Sequence, residues 1–84
     1  MKFIPHADKI EFSPLKQDSI LADDKDTMVE AGTVVAVGAN VKSVEVGDII
    51  AFLSYGAEQT PEVEGEKHWT VRDCPEFLMG YWKP

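Results

Sequence analysis

At 84 residues, with 44% hydrophobic content and a single cysteine, Cys74, the chain has room for one folded domain and for no internal disulfide. Eight Lys+Arg against fifteen Asp+Glu give a formal net charge of −7, and such a surface repels phosphate backbones and anionic lipid, which argues against nucleic acid and membrane as partners. No apolar run approaches the ~18 residues of a membrane span, no signal-peptide pattern opens the chain, and a lone thiol suits a reducing compartment, so a cytoplasmic location is expected.

In chain order, Phe3-Ile4 precede Pro5, and Asp8-Lys9-Ile10-Glu11-Phe12 alternates polar and apolar as a half-buried strand does. Leu15 to Ala31 is polar and long for a connection in so small a domain, which marks a functional loop. It carries Asp18, Asp23, Asp24, Asp26 and Glu30 around one apolar pair, Ile20-Leu21. Thr33-Val34-Val35-Ala36-Val37 lies between Gly32 and Gly38 as a strand bounded by breakers. Val44 and Val46 lead into Gly47-Asp48, where glycine admits a turn conformation and the Asp carboxylate can bond nearby backbone amides. Ile49 to Leu53 follows as a buried strand. Ala57 to Lys67, rich in Glu and Gln, reads as a solvated hairpin or loop. Trp69-Thr70-Val71 alternates again, and after a turn at Asp73-Cys74-Pro75 the apolar strand Phe77 to Trp82 ends the chain. No window keeps a helical period with caps, so the fold class is all-β, a small barrel or sandwich. A domain of this size buries only about 60–65% of its unfolded surface, and oligomerisation is the expected source of further burial.

Taken in order, these pieces resemble the GroES-type co-chaperonins, the chaperonin-10 family. Pro5-His6-Ala7-Asp8-Lys9-Ile10 looks like that family's opening, and Gly32 to Gly38 is similar to its central strand. Val46-Gly47-Asp48-Ile49-Ile50-Ala51-Phe52 matches its Val-Gly-Asp turn and strand, and Tyr55-Gly56 falls where it keeps a Tyr-Gly pair. The resemblance is collinear over nearly the whole chain. It implies a small irregular β-barrel that forms a heptameric ring and caps a GroEL-like chaperonin, assisting protein folding without catalysis or a cofactor of its own. The terminal strands, Met1–Ile4 and Phe77–Trp82, are expected to pair between neighbouring subunits, because bare edges invite pairing; the alternative is that both ends pair within one barrel. Ser19, Ile20 and Leu21 match the family's chaperonin-binding segment, on a mobile loop at about 15–31 that orders on binding. Alternatively Ile20 and Leu21 pack on the barrel itself.

The chain departs from the pattern at two places. The segment before Ile20 lacks the family's Gly-Gly, and Ala39-Asn40-Val41-Lys42-Ser43 leaves no room for a roof hairpin, as in reduced, phage-like members. These departures open a second reading, a GroES-fold ring or adaptor protein that has lost chaperonin binding. Zinc-dependent alcohol dehydrogenases carry a GroES-like domain with a similar Gly32-to-Asp48 stretch, but the nucleotide-binding half and a Cys/His ligand set are missing here. His6, His68 and Cys74 lack the paired spacing of zinc ligands, and Asp24, Asp26 and Glu30 lack the central glycine of a calcium loop. Trp69, Tyr81 and Trp82 are at strand spacing and suit core or interface.

Overall fold

Among the described residues six strands carry the regular structure: β1 (Lys9–Pro14), β2 (Val29–Val37), β3 (Ile49–Leu53), β4 (Ala57–Gln59), β5 (Trp69–Arg72) and β6 (Leu78–Trp82), with one 3-10 turn at Ser54–Gly56 between β3 and β4. The computed structural model describes residues 2–15 and 29–84. The fold is all-β, with a single antiparallel sheet in the order β4-β5-β1-β2-β3-β6. β4 and β6 form its two edges and are not hydrogen-bonded to each other.

Period-2 alternation places the core. Ile10 and Phe12 of β1, Val34 of β2, Ile50 and Phe52 of β3 and Val71 of β5 are buried together with Val44 from the β2–β3 connection. Ala57 of β4 and Leu78 of β6 pack against the same cluster, so the sheet curls far enough for both edges to reach one core. The Phe12 and Phe52 rings meet at 4.4 Å between centroids, tilted by 47°.

The strands expected from sequence at 8–12, 33–37, 49–53, 69–71 and 77–82 all form, 49–53 with the same bounds and the others with shifted ones. β2 begins at Val29 instead of Thr33, because Gly32 sits within the ladder, opposite Pro14 on β1 and Ile50 on β3. Its role is space, not a special φ: a Cβ there would lie 2.6 Å from Phe12 Cδ2. Gly38 is likewise a close approach, with an added Cβ only 2.2 Å from the Ala7 carbonyl oxygen. Of the three glycines read as conformational, only Gly47 adopts left-handed backbone, at φ 99°. The expected hairpin after β4 is present: β4 and β5 pair, and the excursion between them closes on a Val63–Glu66 bridge. Residues 2–6 join no ladder, since Pro5 offers no amide hydrogen and Phe3 is drawn instead onto the His68 ring.

Two bulges shape the sheet. Phe12 pairs with Val34 while Glu11 pairs with Ala36, which leaves Val35 as the extra residue of β2. Phe52 pairs with Leu78 while Ala51 pairs with Gly80, which makes Met79 the extra residue of β6. Such bulges bend a strand and increase its twist, consistent with the curl of the sheet.

The core position of Phe52 sets a stability test. Phe52→Ala should destabilise by about 3–5 kcal/mol, whereas Val46→Ala, at a position 64% exposed, should stay within about 0.5 kcal/mol of wild type in urea unfolding.

Candidate functional site

The turn between β2 and β3 is the most tightly specified part of the surface. The Asp48 amide donates to the Glu45 carbonyl at 3.1 Å, closing a four-residue turn whose third position is Gly47 with positive φ, as a type II turn requires. Gly47 N–H donates to the Val34 carbonyl at 2.9 Å and Val34 N–H returns to the Asp48 carbonyl at 2.8 Å, which ties the turn to β2. The Asp48 side chain is only 5% exposed. Its Oδ2 accepts from the Glu45 amide at 2.9 Å, the side-chain-to-backbone bond expected of an Asp after Gly47.

That same oxygen accepts from Lys83 Nζ at 2.8 Å. Lys83 follows β6 directly, so the pair joins the end of the terminal strand to the turn. The Lys83 ammonium and the Glu45 amide hold the Asp48 carboxyl below its ordinary value of 3.8, against the opposing effect of desolvation. Reciprocally, the hydrogen bond to Asp48 holds Lys83 above 10.5, with smaller contributions from Glu45 and Tyr81. The Lys83 ammonium also lies 5.3 Å from the centroid of the Tyr81 ring.

Inside the sheet, on β1, a second carboxylate is held in a similar way. Glu11, on β1, is 9% exposed, and its Oε2 lies 2.5 Å from His68 Nδ1. A carboxylate can only accept, so Nδ1 carries the proton of this bond. Phe3 stacks on the His68 ring at 4.6 Å and 11°, and Glu66 lies 3.9 Å from Nε2. His68, set aside from the metal reading, therefore serves to dock the N-terminal segment. Beside it, Phe3, Ile4, Pro61 and Val63 line an apolar groove of about 310 Å³ rimmed by Lys2, Glu64 and Glu66. Among the described residues no buried side-chain polar atom is left without a partner, and no group of three or more His, Cys, Asp or Glu is placed to hold a metal.

Among the described residues no strand pairs with the outer side of β6, and Met79, Tyr81 and Trp82 on it are exposed. Trp69 of β5 is also partly exposed, on the far side of the sheet order from β6. The three aromatics singled out from sequence are thus at least partly exposed, on β5 and β6. The candidate chaperonin-binding residues Ser19, Ile20 and Leu21 lie outside the described residues, as do Asp24 and Asp26. What is described is the base from which their segment springs: Pro14 pairs with Gly32, and Leu15 N–H donates to the Ala31 carbonyl at 3.0 Å.

No protein-family model matches the chain, and no curated protein matches it. Among the described residues, no helix is long and apolar enough to cross a membrane.

The Asp48–Lys83 pair predicts a particular pH profile. The depressed carboxyl contributes stability above its unfolded value near 3.8 and loses it as pH falls through its lower folded value. The raised ammonium contributes below 10.5 and loses it as pH rises through its higher folded value. Lys83→Gln should therefore lower the melting temperature between about pH 5 and 10, with the deficit closing in strong acid and in strong alkali; a deficit constant across pH would contradict the pairing.

Proposed function

We propose that this chain is a non-enzymatic co-chaperonin subunit of the GroES type. In this reading the curled sheet is a small irregular β-barrel, copies of it form a heptameric ring in the cytoplasm, and the ring caps a GroEL-like chaperonin to assist protein folding. The observation that carries the reading is the base of the β1–β2 connection. Strand ends joined by the Leu15–Ala31 hydrogen bond flank residues 16–28, and these include Ser19, Ile20 and Leu21, at the place in sequence where that family keeps its partner-binding loop.

Further support comes from the open edge. β6 has one side of its backbone unpaired and exposed apolar side chains beside it, and residues 2–6 contribute no strand to their own sheet. Both terminal segments are thus available to a second copy, and edge pairing would cover them. The barrel is supported by Ala57 and Leu78, which bring both edge strands onto one core. A loop that orders on binding binds weakly by itself, and a ring of such loops gains about 10²–10⁴ in affinity through multivalency. No cofactor is needed in the cap; nucleotide would be consumed by the chaperonin.

A second reading keeps the ring and removes the chaperonin, leaving an adaptor. It is favoured by the missing Gly-Gly before Ile20 and by Asp18 and Asp23 beside the apolar pair.

Native mass spectrometry should show a heptamer, and a chain that is monomeric at every concentration removes the cap mechanism. With an assembled ring, binding to a chaperonin in the presence of ATP should fall by at least about a hundredfold when Ile20 and Leu21 are both changed to Ser. Undiminished binding would assign the contact elsewhere, and an intact wild-type ring that binds no chaperonin would establish the adaptor reading.

A further inference from the structure

Leu78 packs on the core at the start of β6, but beyond it the pairing with β3 has little in its own strand to fix its register. Gly80, which brings no side chain, stands opposite Ala51, and the ladder shifts at the next step, where Met79 is extruded. Slippage is a hazard of strands of this kind, since a one-residue slip turns every side chain to the other face. The ladder ends on the pairs Ile50–Tyr81 and Ile49–Trp82, and one residue beyond it on each strand come Asp48 and Lys83, joined by their side chains. In that register Lys83 stands on the same face as Tyr81 and above the buried carboxylate.

We infer that Lys83 is the register pin of β6: its ammonium, captured by the buried Asp48 carboxylate, selects the one alignment in which Tyr81 faces Ile50. A slip of one residue would put Lys83 on the opposite face of the sheet, and a slip of two would move it by about 6.6 Å along the strand. Neither preserves a 2.8 Å contact. Either slip would strand a carboxylate that is 5% exposed with only the Glu45 amide as partner. The penalty falls on wrong registers alone. It acts through a group rooted in the turn, and the turn is itself fixed to β2 by the two backbone bonds of Val34. Lys83 is thus a positioning residue, and what it positions is the exposed edge with Met79 and Trp82.

The inference concerns one chain's sheet and stands whether or not the chain forms a ring. It is tested on the full chain with Lys83→Gln and Lys83→Arg, by amide hydrogen exchange and by the cross-strand nuclear Overhauser contacts of Trp82. Lys83→Gln should raise exchange of the β6 amides bonded to β3 by about tenfold, with β1 and β5 amides unchanged. It should also weaken the Ile49–Trp82 contact or add contacts of a shifted alignment. Lys83→Arg, which keeps the charge, should return β6 exchange to within about threefold of wild type. The inference is overturned if Lys83→Gln keeps wild-type protection and contacts in β6. It is equally overturned if the variant raises exchange uniformly across β1, β5 and β6, because that result reports a general loss of stability and no register role.

Discussion

The buried Asp48 carboxylate is the point at which three separate stretches of chain are joined. Its backbone closes the turn with Glu45, its carbonyl and the neighbouring Gly47 amide engage Val34 of the central strand β2, and its side chain receives the terminal lysine. A carboxylate at this depth is costly unless it is fully partnered, so the three contacts support one another. Without the positive φ at Gly47 the amides would not converge on Val34 and Glu45 in this way. Without Lys83 the carboxylate would be left with a single amide. The sheet's edge and its centre are therefore coupled through one side chain, over and above the hydrophobic core they share.

Glu11 plays a comparable part at the other end of the molecule. It is buried beneath the N-terminal segment and held by His68, on which Phe3 stacks. Each end of the chain is thus fixed by a carboxylate belonging to the body of the sheet. Termini of small domains fray unless tied down, and here the ties are polar and directional, whereas the apolar side chains of the same segments, Ile4, Met79 and Trp82, remain exposed. That division of labour leaves terminal surfaces that are ordered yet not satisfied within the chain.

Much of this was legible in the residues. The Val46-Gly47-Asp48 turn could be read because its determinants are local: a glycine that admits left-handed backbone and a carboxylate three residues from the amide it accepts. The strands at Thr33–Val37 and Ile49–Leu53 followed from β-branched runs, and the Ala57–Lys67 hairpin from its polar composition. The start of β2 was obscured because Gly32 looks like a breaker, while its actual role, making room for the Phe12 ring, depends on a contact twenty residues away in sequence. An apolar pair before a proline likewise does not say which strand would pair with it, and within the chain residues 2–6 join no ladder. Glu11–His68 and Asp48–Lys83 join residues 57 and 35 positions apart. Local spacing carries no trace of them. Register could have found the second pair, since counting along two antiparallel apolar strands from Gly47-Asp48 places a cation beside the buried Asp48 carboxylate.

The balance of forces explains why the terminal segments matter to any association of this chain. Copies carrying −7 each repel one another, and a core with seven buried apolar side chains among the described residues is small for the entropy it must offset. Association under those conditions has to come from contacts that are directional and short-ranged, which backbone pairing along an open edge supplies and diffuse hydrophobic attraction does not. Such pairing is only as specific as the register of the strand that offers it. A β6 free to slip would present its edge in several alignments, each with different side chains outward, and would pair with as many partners. Holding the strand by a buried charge at its last step narrows the edge to one alignment at a position where the core, with Gly80 and a bulge intervening, cannot do so. In the proposed ring the same constraint would be repeated at every interface, so an alignment error in one subunit would prevent closure.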